Sequence, residues 1–273
     1  MSRIRIIGWL FVSLLCVPAF PSLARAQSAQ PNYAPRVGQA GKDVVWVPTP
    51  DAMVEKMLDM AKVTANDYVI DLGSGDGRTV ITAAQRGARA HGIEYNPDMV
   101  ELSKRNAAAA GVADKATFAK ADLFESDFSQ ATVLTMFLLP QINLKLRPKI
   151  LDLKPGTRIV SNSFTMGDWP PDETAAVGGD CDTWCTALLW IVPAKVEGHW
   201  RLPDGELTLK QTFQWITGTL KNGGNVVAIQ NGRLAGDEIH FSTGKSEYRG
   251  QINGDTITGL VNGAAWHAER VRP

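Results

Sequence analysis

One stretch constrains this chain more than any other: Tyr68-Val69-Ile70-Asp71-Leu72-Gly73-Ser74-Gly75-Asp76-Gly77-Arg78. Tyr68 to Ile70 have the branched and aromatic character of a strand buried on both faces. Asp71 ends it, three glycines at alternate positions force a tight turn, and Thr79 to Ala84 resume as the apolar face of a helix. Strand, glycine turn and helix form the nucleotide cradle of open α/β sheets, with the ligand at the carboxyl end of the strand. Glycine there allows backbone angles closed to other residues and lets a ligand lie against the main chain. The dinucleotide fingerprint Gly-x-Gly-x-x-Gly seats a pyrophosphate on the helix N-terminus. This chain instead reads Asp-x-Gly-x-Gly-x-Gly. An acid ahead of the first glycine repels phosphate and suits a cationic or hydroxyl-bearing ligand. Asp71 also fits a plainer role, as a capping acid that stabilises the turn.

Two further strand ends close on acids. Gly92-Ile93-Glu94-Tyr95-Asn96-Pro97 places Glu94 23 residues after Asp71, where an acid commonly holds two ribose hydroxyls. Phe118-Ala119-Lys120-Ala121-Asp122-Leu123 ends the third strand on Asp122. In this ordered set the chain resembles the class I S-adenosylmethionine-dependent methyltransferases. With Trp46-Val47-Pro48-Thr49-Pro50 and Phe137-Leu138-Leu139-Pro140 added, it looks like the lysine methyltransferases that modify the mitochondrial ATP synthase c-subunit and adenine nucleotide translocase, and their bacterial relatives. The match runs from roughly Val45 to Trp169.

That resemblance implies a Rossmann-like seven-stranded methyltransferase sheet, an α/β fold, with S-adenosylmethionine as cofactor and S-adenosylhomocysteine as product. It implies a cofactor-binding set of Asp71, Gly73, Gly75, Gly77, Glu94, Asn96, Asp122 and Leu123, with Asp122 toward the adenine amino group. Thr49, Phe137 and Pro140 become substrate-side candidates. Thr49 also reads as a helix cap, with Pro50 opening the helix. The loop after strand four, Phe137 to Asn143, lacks carboxylate, histidine and cysteine, and lacks the Asn-Pro-Pro-Tyr of amide-targeting relatives. No catalytic residue is named; an aligned, deprotonated amine reacts by proximity.

The rest of the chain divides around this domain. Basic Ser2-Arg3-Ile4-Arg5, an apolar run from Ile6 to Phe20 and Ala24-Arg25-Ala26 read as a secretory signal peptide over 1–26. That predicts export, to a periplasm, with no integral membrane segment after cleavage. A retained anchor is the alternative. Cleavage leaves 25 basic against 28 acidic residues, a formal charge of −3, with no electrostatic footprint for nucleic acid. Residues 27–44 read as a flexible leader and 45–197 as the cofactor domain. Strand six is expected over Cys185 to Pro193 and strand seven over Lys195 to Leu202, with Met166 to Gly179 a polar loop. Cys181 and Cys185, in an exported chain, invite a local disulfide rather than a metal site.

From residue 198 to 273 short period-two strands separated by Gly and Asn turns predict an antiparallel β-rich domain, an up-and-down sheet or small barrel. It shows no chemistry of its own. The functional expectation is methyl transfer to a protein lysine. A small-molecule or lipid acceptor, or a non-catalytic exported binding or scaffold protein that keeps the fold, stand as alternatives. Oligomeric state is not legible in the sequence.

Overall fold

The computed structural model describes residues 33–178, 181 and 183–272. The expected signal peptide, 1–26, lies outside the described residues. The first sheet is built from β1 Tyr68–Leu72, β2 Arg89–Glu94, β3 Ala116–Lys120, β4 Val133–Met136, β5 Arg158–Asn162, β6 Glu173–Ala176 and β7 Thr186–Ile191. Its order is β3-β2-β1-β4-β5-β7-β6. The first five strands are parallel and β7 runs antiparallel to β5. Strand order reverses between β1 and β4, which opens a crevice at the carboxyl edge.

Helices α1 Asp51–Met60, α2 Arg78–Gln85 and α3 Pro97–Ala109 bury Met53, Met57, Leu58, Val80, Ala83 and Val100 on one face, with Val69 of β1. Helix α4 Pro140–Leu151 buries Ile142, Leu146 and Ile150 on the other, with Ile70 and Leu72. The alternation of Val69, Ile70 and Leu72 between the two cores explains why β1 reads as unbroken apolar sequence. Asp71 falls on the α1 and α2 side of the alternation.

Two expectations need correction here. The seventh strand of the first sheet is not Lys195 to Leu202 but β6, inside the stretch read as a polar loop. Glu173-Thr174-Ala175-Ala176 is an edge strand, paired on one side with β7, and its largely exposed surface hides the usual apolar signal. Of the stretch read as a flexible leader over 27–44, residues 27–32 lie outside the described residues, and from Gly38 the chain is not loose but folds back as a hairpin. Gly38 N–H donates to the Trp46 carbonyl at 2.8 Å, Trp46 N–H to the Gln39 carbonyl at 2.9 Å, and Ala40 bridges Val45.

The second sheet comprises β8 Gly198–Leu202, β9 Gly205–Thr212, β10 Trp215–Asn222, β11 Asn225–Ala228, β12 Gln230–Ala235, β13 Glu238–Thr243, β14 Ser246–Asn253, β15 Thr256–Val261 and β16 Ala264–Arg270. All its pairings are antiparallel, and β9 pairs with both β8 and β10, so eight strands close into a barrel with β11 as an added hairpin arm. Closure removes the exposed edges. Trp200, Leu207, Phe241, Ile257 and Trp266 fill the interior, so the barrel encloses a packed core. Trp215, by contrast, is exposed, with the Arg233 guanidinium 4.7 Å above its ring.

The two sheets meet at Trp169. Its ring stacks on Phe213 at 5.7 Å, and its Nε1–H donates to Gln214 Oε1 at 3.0 Å. Gln214, fully buried, donates in turn to the Pro170 carbonyl at 2.8 Å. Gln214→Ala leaves the buried Trp169 indole N–H without its partner. At about 1–3 kcal/mol for an orphaned buried donor, the expected destabilisation is of that size, read as a lower urea midpoint with an unchanged slope. No helix among the described residues is long and apolar enough to cross a membrane.

Candidate active site

One cavity opens at the carboxyl edge of the first sheet, and the glycine bend forms its floor. Gly73 and Ser74 N–H groups both donate to the Ile93 carbonyl, at 2.9 and 3.1 Å, which docks the bend on β2. Gly75 has φ +55°, and a Cβ there would lie 2.7 Å from Nε1 of Trp46. Only glycine permits the hairpin to close this tightly over the bend. Gly73 lines the cavity; Gly77 does not. With φ +84°, Gly77 opens α2, and a Cβ on it would meet Phe118 and Ser103 at 2.8 Å. Its part is to let α3 and β3 pack against the turn, rather than to face a ligand.

The acids stand in three different environments. Asp71 is buried and accepts from Thr135 Oγ1 at 2.7 Å. Burial pushes its carboxyl up to about 7; the Thr135 bond works against that, and the neighbouring Glu94 and Asp76 charges add to it. Glu94 holds the local backbone together: Oε2 accepts from Gly75 N–H at 3.0 Å and Oε1 from Asn96 N–H at 2.9 Å. Asn96 caps α3, its Oδ1 accepting from Asp98 N–H at 2.9 Å, and it also lines the cavity. Asp122 accepts from Phe124 N–H at 2.9 Å and from the Lys42 ammonium. That Lys42 bond holds the Asp122 carboxyl below its ordinary value.

Lys42 comes from the hairpin and also sits 4.8 Å from the Tyr95 ring centroid. The hairpin therefore covers the Glu94 and Asp122 side of the cavity, a contribution the sequence reading missed. Its signal was the Trp46 to Pro50 run, which marks where the cover begins. Thr49 lines the cavity but does not cap α1. Pro50 occupies the cap position with no side-chain bond, and the Thr49 carbonyl accepts from Arg78 Nη1 at 2.9 Å. Arg78 pairs with Asp76, Nη2 to Oδ2 at 2.7 Å.

Beyond β1 the lining changes character. Phe137, Leu138, Leu139, Ile142, Phe164 and Trp184 are all apolar or aromatic. Pro140 is not among the lining residues; it opens α4 at the first helical position. Leu123 lines the opposite end, next to Asp122. Cys181 and Cys185 are joined by a disulfide. No cluster of three or more metal-ligating side chains occurs among the described residues.

These features fit a sulfonium nucleoside. The bend carries no side chain at Gly73 and Gly75, and the buried Ser74 hydroxyl beside them has no partner in the protein. Each Glu94 oxygen uses one lone pair on backbone and retains another for a hydroxyl donor. The carboxyl groups of Asp43, Asp71, Asp76, Glu94 and Asp122 line the cavity against the cations of Arg78 and Lys42. Arg78 is tied to Asp76 and Lys42 to Asp122, so Asp71 and Glu94 face the ligand space without a cationic partner.

The profile of the ANTKMT methyltransferase domain matches residues 71–173. A protein-lysine N-methyltransferase from Saccharolobus islandicus is 45% identical over 137 residues, which are 49% of this chain and 85% of that protein. The mouse lysine N-methyltransferase of the ATP synthase c-subunit is 38% identical over 136 residues, 50% of this chain but only 55% of its own length. Among solved structures, an RNA methyltransferase from Salinibacter ruber in complex with S-adenosyl-L-homocysteine is 48% identical, with a TM-score of 0.52 over 55% of this chain and 96% of that one.

Proposed function

Since the chain belongs to the ANTKMT methyltransferase family and is an S-adenosylmethionine-dependent methyltransferase, we propose that it methylates the side-chain amine of lysine in a protein substrate. The observation that carries the reading is the composition of one cavity: carboxylates and a bare-backbone bend on one side, an apolar and aromatic wall on the other. The lysine specificity named for the archaeal and mouse relatives supports it.

S-adenosylmethionine, when bound, supplies a methyl group on a positively charged sulfur. This chain's residues do the rest by placement and exclusion of water. Glu94 holds the bend and keeps lone pairs for hydroxyl donors; Asp71 lends negative charge beside a cationic ligand. Phe137, Leu138 and Leu139 form a dry approach. A lysine amine, pKa about 10.4 in water, loses its preference for the charged form in such surroundings. Among the described residues, the lining from Met136 to Trp184 is apolar and aromatic, and alignment of the amine with the methyl group supplies the catalytic power.

We further assign the protein to an oxidising compartment, the periplasm. The basic and apolar start, the Ala24-Arg25-Ala26 pattern and the Cys181–Cys185 disulfide support export. Cell fractionation with N-terminal sequencing of the mature protein is the check on location. Purified protein incubated with radiolabelled S-adenosylmethionine and periplasmic extract tests the activity. Label is expected in protein, at lysine by mass spectrometry, and lost after reductive blocking of substrate amines. Label confined to RNA or to lipid would sink the lysine assignment.

A further inference from the structure

The carboxyl edge of the first sheet is divided in two at the β1/β4 crevice. On one side lie the acids at the carboxyl ends of β1, β2 and β3, Asp71, Glu94 and Asp122. On the other, three adjacent strands each contribute one aromatic residue: Phe137 directly follows β4, Phe164 lies two residues past β5, and Trp184 lies two residues before antiparallel β7. The rings touch. Phe137 stacks on Phe164 with centroids 5.8 Å apart and planes 18° apart, and Trp184 meets Phe137 at 5.7 Å and 65°. Two ring faces thus form a corner at the cavity wall. Phe164 and Trp184 were not among the expected site residues, and the edge order of the strands is what unites them with Phe137.

We propose that Phe137, Phe164 and Trp184 form the acceptor subsite and favour the nitrogen as methylation places positive charge on it, holding methylated ammonium more tightly than any neutral group of equal size. The proposal rests on the methyltransferase reading and deepens it. Aromatic faces carry negative potential and attract ammonium groups, most strongly at tryptophan. Transfer to a neutral amine forms an N–C bond as the C–S bond breaks, with the electron pair left on sulfur. The positive charge therefore ends on nitrogen, where an aromatic corner favours it. The stacking of Phe137 on Phe164 leaves no parallel slot between those two rings for a planar base. Trp184, 42% exposed, forms the outer wall of the corner, and its φ of +56° is one that non-glycine residues rarely adopt. The Cys181–Cys185 disulfide brackets it and holds it in that position.

The test compares two probes on the full mature protein saturated with S-adenosylhomocysteine. One is Nα-acetyl-Nε-trimethyllysine amide. The other is its neutral isostere, in which a tert-butyl group replaces trimethylammonium. Calorimetry is expected to show the cation bound about threefold to tenfold more tightly. Trp184→Phe should keep most of that preference, and Trp184→Ala and the double Cys181→Ser/Cys185→Ser variant should lose it. Equal affinity for both probes, or no binding of either while S-adenosylhomocysteine binds normally, overturns the subsite. Failure to bind S-adenosylhomocysteine at all would overturn the methyltransferase reading instead. A cation preference that survives in the double serine variant would remove the disulfide from the account and leave the aromatic corner.

Discussion

Asp71→Asn is expected to stabilise the ligand-free protein at pH 8 while weakening its hold on S-adenosylmethionine. The sign follows from the folded carboxyl, raised from 3.8 to about 7, mainly by burial. Below pH 4 both the folded and unfolded forms are protonated, and the group is neutral to stability. Between pH 4 and 7 the unfolded chain ionises while the native one resists, so stability falls as pH rises. Above pH 7 the full penalty of an ionised buried carboxylate is present, an upper figure of about 4 kcal/mol. Chemical denaturation from pH 4 to pH 8 should show this decline in the native protein and not in Asp71→Asn. Ligand binding has the opposite dependence. A cation beside Asp71 favours ionisation, so binding near pH 7 releases a proton and affinity climbs with pH until the carboxyl is fully charged. Titration in buffers of different ionisation heats measures that proton directly. The asparagine variant should release none, and should bind about tenfold or more weakly at pH 8. An unchanged proton count would remove Asp71 from contact with the ligand.

Glu94→Ala is expected to be the most damaging single change at the site. It strips the acceptor from Gly75 N–H and Asn96 N–H, which join the bend to the start of α3. It also removes the carboxylate that would accept two ligand hydroxyls. Hydrogen bonds to charged groups contribute about 1.5–3 kcal/mol each, so affinity for S-adenosylhomocysteine should fall about a hundredfold or more. Glu94→Gln keeps one carbonyl oxygen and should lose about tenfold. A melting point measured alongside separates the two functions of the residue. Loss of affinity with little loss of stability indicates ligand contact, whereas parallel losses indicate that Glu94 serves the bend alone.

The same carboxylate shows how far sequence reasoning reaches. Glu94 was legible because it ends a strand, and strand ends in an open α/β sheet all point into one crevice. Asp71, Asp122 and the bend were legible for the same reason. Gly77 misled, because a glycine admitted for close ligand approach looks identical in sequence to one admitted for close helix packing. Its missing Cβ faces Phe118 and Ser103. Thr49 before Pro50 carried every local sign of a cap, yet Pro50 takes the cap position and the Thr49 carbonyl binds Arg78 instead. Strand β6 was hidden by its edge position.

By itself the sequence determined the sheet, the bend and the row of acids, because each depends on residues adjacent in the chain: a buried strand, its terminal carboxylate and the glycines that follow. Only the tertiary structure decided what surrounds them. It brought Lys42 across 80 residues to Asp122 and set Trp46 over Gly75. It also gathered Phe137, Phe164 and Trp184 from three neighbouring strands into one wall. Those pairings depend on strand order and on the path of a hairpin, which are set by packing between distant segments. Local periodicity carries no record of them.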